Sequence, residues 1–208
     1  MSTHESPIDL VRDYYTAALR THGPVPRGVD WNDAASQSLR FEQLLKVCDP
    51  SREFALLDYG CGYGALGLYL SQHRWPARYS GYDVAPEMIA AAREQLVDVA
   101  HEELTSDASR VSAADYVVAS GIFNVRLGVS DDAWRAHIDS TLERLDALST
   151  RGFAFNMLTS YSDPGRMRSD LYYANPSEIF AACKQRFSKK VALLHDYDLY
   201  EFTILVRK

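Results

Sequence analysis

The chain reads as an α/β protein built on a doubly wound, Rossmann-like sheet, and three observations predict it. Short apolar runs alternate with amphipathic helical segments from residue 54 to residue 187. A loop with glycine at alternate positions, Gly60-Cys61-Gly62-Tyr63-Gly64, follows the first run and opens a helix. Two C-terminal β runs, KKVALL and EFTILVRK, are joined only by HDYDLY. That connector is too short for a right-handed crossover, so this pair is antiparallel while the earlier strands are parallel.

The elements follow in order. Ser6-Pro7 with Asp9 in the next turn reads as an N-cap, a proline at the first helical position and an early acid. Leu10, Val11, Tyr14 and Ala18 continue at helical spacing until Gly23-Pro24. After a Pro/Gly-rich connector, THGPVPRGVDW, a second helix is capped near Asp33, with Phe41, Leu44, Leu45 and Cys48 on one face. Gln37 and Arg40 extend that apolar stripe with polar groups. FALLDY is a strand, and Leu66, Tyr69 and Leu70 mark the helix after the glycines. RYSGYD is a second strand ending at Asp83, and Pro86 opens a helix bearing Met88, Ile89, Ala92 and Leu96. A short strand is expected near Glu103–Thr105, and a buried one at DYVVAS, 115–120. A helix follows over Asp131–Ala147 with Trp134, Ile138, Leu142 and Leu145, then the strand GFAFNML, 152–158. Asn175-Pro176-Ser177-Glu178 starts a helix in capping-box fashion, with Ile179, Phe180, Cys183 and Phe187 inward. Residues 1–48 are expected to form an N-terminal helical cap, and residues 49–208 the main domain.

Bulk properties narrow the function. With 208 residues the chain suits one domain plus an appendage. A net charge of −6 and the lack of a Lys/Arg block argue for a small-molecule partner and against nucleic acid. No signal peptide or long apolar segment is present in the sequence, so a cytoplasmic location without membrane association is expected, as a monomer or homodimer. Cys48, Cys61 and Cys183 lack metal-ligand spacing, and no metal site is expected.

The glycine loop and the acids around it point to a cofactor. Asp83 ends the second strand 19 residues after Gly64, placed to accept hydrogen bonds from both hydroxyls of an adenosine ribose. With Ala65 as its last residue, the loop also satisfies the dinucleotide pattern, so an NAD(P)-binding oxidoreductase is an alternative. Asp58 breaks the tie. A carboxylate at the loop's mouth suits a methionine-derived ammonium and sulfonium, and repels a pyrophosphate.

These residues resemble class I S-adenosylmethionine-dependent methyltransferases. DYGCGYG resembles their first motif, GYD at 81–83 the second and DYVVAS the motif of strand four. VDWNDAASQSLRF, ASGIFNV and HDYDLYEF are similar to a bacterial subgroup of that family. The resemblance implies a seven-stranded sheet of order 3-2-1-4-5-7-6 with strand seven antiparallel. It implies S-adenosyl-L-methionine as cofactor and S-adenosyl-L-homocysteine as product. It further sets Gly60, Cys61 and Gly62 against the amino-acid portion of the cofactor, Asp58 near its ammonium and Asp83 on its ribose. Tyr82 and Val84 fall beside the adenine, Asp107 is a candidate adenine-side acid, and Ser120, Gly121 and Phe123 lie near the sulfonium end. Arg40 is a candidate for the cofactor carboxylate.

Methyl transfer is an in-line displacement at an already activated carbon, so alignment and exclusion of water suffice without a nucleophilic residue. If the acceptor must lose a proton, His195 at the end of strand six is the candidate base, with Asp196 beside it; Asn124 is a second candidate catalytic group. The loop TSYSDPGRMRSDLYY, 159–173, is a candidate lid, with Tyr161, Arg166, Tyr172 and Tyr173 as candidate acceptor contacts. The leading expectation is methylation of a small polar metabolite at O or N, with a protein acceptor second.

Overall fold

The computed structural model describes residues 6–29, 31 and 33–208. Residues 1–5, 30 and 32, part of the expected cap, lie outside the described residues. Helix α1 spans Pro7–His22, its first turn capped by Ser6 Oγ, which accepts from Asp9 N, and it ends at Gly23 with φ of +75°. Asp33 caps α2, Ala34–Leu45, by accepting from Ser36 N at 2.7 Å. The alternating elements follow: β1 Phe54–Tyr59, α3 Ala65–Gln72, β2 Ala77–Tyr82, α4 Pro86–Gln95 and β3 Glu103–Thr105. After them come β4 Ala114–Ala119, α5 Asp131–Leu148, β5 Ser149–Leu158, α6 Pro176–Arg186, β6 Lys190–Leu194 and β7 Glu201–Arg207.

The sheet has the order β3-β2-β1-β4-β5-β7-β6. Strands β1 to β5 pair in parallel, and β7 runs antiparallel to both β5 and β6. The weak polar stretch before residue 114 does form the short strand expected at Glu103–Thr105. Strand β5 starts three residues earlier than its apolar run, because α5 enters it at Ser149 with no loop between them.

Alternation along each strand divides the core between two faces. Leu56 and Val118 join a cluster with Phe41, Leu44 and Leu45 of α2, Leu66 of α3 and Ile89 of α4. Leu57 and Val117 point the other way, into a cluster with Trp134, Ile138 and Leu142 of α5 and Cys183 of α6. Helix α2 thus packs directly on the sheet, as its Phe41/Leu44/Leu45 stripe requires. Helix α1 instead spans between α4 and α5, and Arg20 pairs with Glu87 at 3.1 Å. The strand order reverses between β1 and β4, the place where sheets of this kind leave a crevice beyond the strand ends.

Candidate functional site

The glycine loop follows β1 into that crevice. Gly60, Gly62 and Gly64 have φ of +84°, +53° and +83°, which explains their residue type. Gly60 N and Cys61 N both donate to the Tyr82 carbonyl, at 2.7 and 2.9 Å. Gly62 N donates to Asp83 Oδ2 at 2.9 Å, and Gly64 N to the Cys61 carbonyl at 3.0 Å. The loop is therefore folded onto the end of β2 with these donors already engaged. Gly60 carries a further constraint, since an added Cβ would lie 2.3 Å from Ile122 Cγ2. Gly60→Ala is expected to cost about 1–3 kcal/mol of stability and to displace the loop. Thermal melts with and without S-adenosylhomocysteine check this; an unchanged ligand-induced shift would contradict it.

The loop floors a cleft of about 1010 Å³, measured out to its open mouth. Asp58, Gly60, Cys61, Gly62, Tyr82, Asp83, Val84, Ser120 and Gly121, all expected at a cofactor, line it together. The sequence motifs place them there because each lies at the carboxyl end of β1, β2 or β4. Asp58 is buried and accepts from Tyr79 Oη at 3.0 Å. Burial pushes its carboxyl up to about 7, and that of Asp83 up to about 6. Asp83 Oδ1 also accepts from Ala85 N at 2.9 Å, so this acid braces the loop and the start of α4 while facing the cleft. Ser120 Oγ is buried with no hydrogen-bond partner among the described residues. The Cys61 thiol lies against Gly81, where an added Cβ would stand 2.9 Å from Sγ, and burial holds it protonated.

A second cleft, of about 900 Å³, is lined by Arg40, Asn124, Arg166, Arg168, Tyr173 and Glu201 among others. Tyr15, Val29 and Trp31 line both clefts and form the wall between them. Trp31 also packs on the loop after β4, since a Cβ at Gly121 would come within 2.4 Å of its ring.

Several expected residues stand elsewhere. Arg40 does not line the first cleft: its Nε lies 3.0 Å from both Glu201 oxygens, its Nη2 2.5 Å from Oε1, and its guanidinium sits 3.8 Å over the Trp31 ring. The acid that opens β7 thus claims the bidentate bond that the sequence assigned to a cofactor carboxylate. Phe123 is fully buried, its ring edge-on to Phe155 at 5.7 Å, because the chain turns back into the core after Gly121. His195 is exposed, 5.9 Å from the Tyr161 ring, and lines neither cleft, since β6 is the sheet's outer strand; Asp196 is exposed beside it. Asn124 does line the second cleft, but its Oδ1 accepts from Leu158 N at 3.1 Å and its carbonyl from Tyr172 N at 2.8 Å, so it also ties β5 to the 159–173 loop. Of that loop, Arg166 and Tyr173 reach the second cleft, whereas Tyr161 is 70% exposed outside it and Tyr172 packs against the α5/α6 side of the core. Asp107 is exposed and caps a short 3-10 turn by accepting from Ser109 N.

The residues that sequence reading missed come from outside the cofactor motifs. Tyr15 and Val11 of α1, together with Trp31, roof the first cleft, and His137 and Thr141 of α5 line its wall. Burial depresses the His137 imidazole, which lies 5.0 Å from the Trp134 ring. Trp31 sits in a connector with no periodicity to betray it. Glu201 lies within HDYDLYEF, but its charge at the start of an apolar strand carried no sign of its partner.

A doubly wound sheet with one reversed strand, and a cleft at its switch point floored by a glycine loop, are the architecture of a nucleoside-cofactor enzyme. The chain belongs to the class I S-adenosylmethionine-dependent methyltransferases. A methyltransferase domain family matches residues 57–152. The "Putative methyltransferase Rv1506c" of Mycobacterium tuberculosis is 53% identical over 164 residues, covering 79% of this chain and 99% of that protein. The same fold occurs in magnesium protoporphyrin IX methyltransferase from Synechocystis PCC 6803, solved with bound S-adenosylhomocysteine. That match has a TM-score of 0.67 at 16% identity and covers 98% of this chain and 100% of that one. The N-methyltransferase NodS from Bradyrhizobium japonicum WM9 aligns with a TM-score of 0.64 at 17% identity, over 95% of this chain and 97% of its own. Among the described residues no helix is long and apolar enough to cross a membrane, and no cluster of His, Cys, Asp or Glu could hold a metal ion.

Proposed function

We propose that the chain transfers the methyl group of S-adenosylmethionine to an O or N atom of a small polar metabolite, held in the second cleft. The observation that carries this reading is the pair of adjoining clefts with Trp31 between them. The cofactor supplies a methyl carbon made electrophilic by its sulfonium. Asp58 faces the ammonium, Asp83 accepts from the ribose hydroxyls with lone pairs left over from Gly62 N and Ala85 N, and Tyr82 and Val84 bound the adenine. The unpartnered Ser120 Oγ offers one hydrogen bond to the cofactor, and Gly121 permits close approach. The described part of residues 1–48 acts as the cap: Tyr15 and Trp31 exclude water over the reacting centre, and Arg40 of α2, a helix packed on the sheet, stacks on Trp31. Asn124 and Tyr173 border the acceptor and orient it, so the rate comes from alignment.

Calorimetric titration with S-adenosylmethionine and S-adenosylhomocysteine, followed by transfer of a labelled methyl group into fractionated metabolites of a cell extract, tests this. Binding of both with label in a low-molecular-weight fraction is expected. Label confined to protein would replace the metabolite by a protein acceptor, and a folded sample that binds neither would sink the reading.

A further inference from the structure

We propose that the second cleft takes an acceptor carrying a carboxylate, bound at Nη1 of Arg40. This deepens the methyltransferase reading above and rests on it. Arg40 is 6% exposed, yet only part of its donor set is used. Nε and Nη2 go to Glu201, while Nη1 is buried with no hydrogen-bond partner among the described residues. A guanidinium cannot shed its proton, and a buried charged donor left unpaired is costly. Trp31 stacks on one face of this guanidinium at 3.8 Å and Glu201 holds its Nε/Nη2 edge, so the unpartnered arm belongs to a side chain that is fixed in place and lines the cleft.

The lining charges favour an anion of low charge. Among the described residues, Arg40, Arg166 and Arg168 line the cleft with a single acid, Glu201, and Glu201 neutralises Arg40. Arg166 lies over the Tyr200 ring at 5.6 Å and 3.9 Å from Asp163, and Arg168 pairs with Asp170. A carboxylate monoanion completes Nη1 and gains from the two outer arginines. A phosphate dianion would meet the Glu201 charge beside the same guanidinium. The anchor is also joined to the cofactor side. Asn156 donates from Nδ2 to Glu201 Oε2 and accepts from Gly121 N at 2.8 Å, so the bound carboxylate is positioned relative to the loop after β4.

The test uses full-length protein saturated with S-adenosylhomocysteine. Benzoate and butyrate are the probes, benzamide and butyramide the neutral counterparts and inorganic phosphate the rival anion, with affinities read by protein-observed NMR. At least one carboxylate is expected to bind, and its amide to bind roughly tenfold more weakly or not at all. Arg40→Lys keeps the charge facing Glu201 but removes the second arm. It should weaken the carboxylate by about tenfold. Arg166→Ala, on an exposed side chain, provides a variant whose folding is not at risk and should weaken it several-fold. Equal binding of amides, tighter binding of phosphate, carboxylate affinity untouched in both variants, or no carboxylate binding would each overturn the proposal alone. Failure of S-adenosylhomocysteine to bind would overturn the methyltransferase reading and the proposal with it.

Discussion

Replacing Glu201 by alanine is expected to cost about 3–5 kcal/mol of stability, the penalty for breaking a buried ion pair from one side. Glu201 is 1% exposed and accepts from Arg40 and from Asn156 Nδ2. Alanine leaves the Arg40 guanidinium buried beside Trp31 with no carboxylate, and frees the Asn156 amide that holds Gly121 N. The cost comes from the orphaned charge, so removing both charges should recover most of it: Arg40→Met with Glu201→Leu is expected to lose far less than Glu201→Ala. Urea denaturation of the three proteins measures this. A loss below about 1 kcal/mol in Glu201→Ala, the range of an exposed pair, would show that solvent reaches Arg40.

The second large effect is the pH dependence of cofactor binding. Asp58 and Asp83 are raised to about 7 and about 6 by burial. Folding the ligand-free protein is therefore favoured by their protonated forms. That contribution is complete below the ordinary carboxyl range near pH 4, and is lost as pH rises through about 6 and then about 7. A cationic ligand reverses the preference. S-adenosylmethionine should bind tightest above about pH 7 and lose roughly tenfold per pH unit below it while Asp58 takes up its proton. Asp58→Asn keeps a side-chain acceptor for Tyr79 Oη but removes the charge. It should weaken S-adenosylmethionine at least roughly tenfold, flatten the profile, and make the ligand-free protein more stable at about pH 8 by on the order of a few kcal/mol. Calorimetry and melting curves across this range decide it. A wild-type affinity independent of pH would mean that Asp58 does not face the cofactor's charge.

Agreement between sequence and structure follows the range of the forces involved. Caps, turns and periodicity act over a few residues, so Ser6, Asp33, Pro86 and Asn175 marked helix starts that the structure reproduces. The floor of the first cleft was legible for the same reason, because the glycine loop, Asp83 and Ser120 each sit one step past a readable strand. Phe123 and His195 had that position too, but proximity to a strand end does not say whether a side chain faces the cleft, the core or solvent.

By itself, the sequence determined the order of the elements, the antiparallel final pair, the cofactor motifs and the family. All are encoded in neighbouring residues. Only the tertiary structure decided what roofs the cleft and what Arg40 binds. Trp31 carries no local pattern, and Glu201 lies 161 residues from Arg40. Their meeting depends on α2 packing across β5 and β7. Burial then turns an ordinary acid and base into a buried pair with one arm to spare.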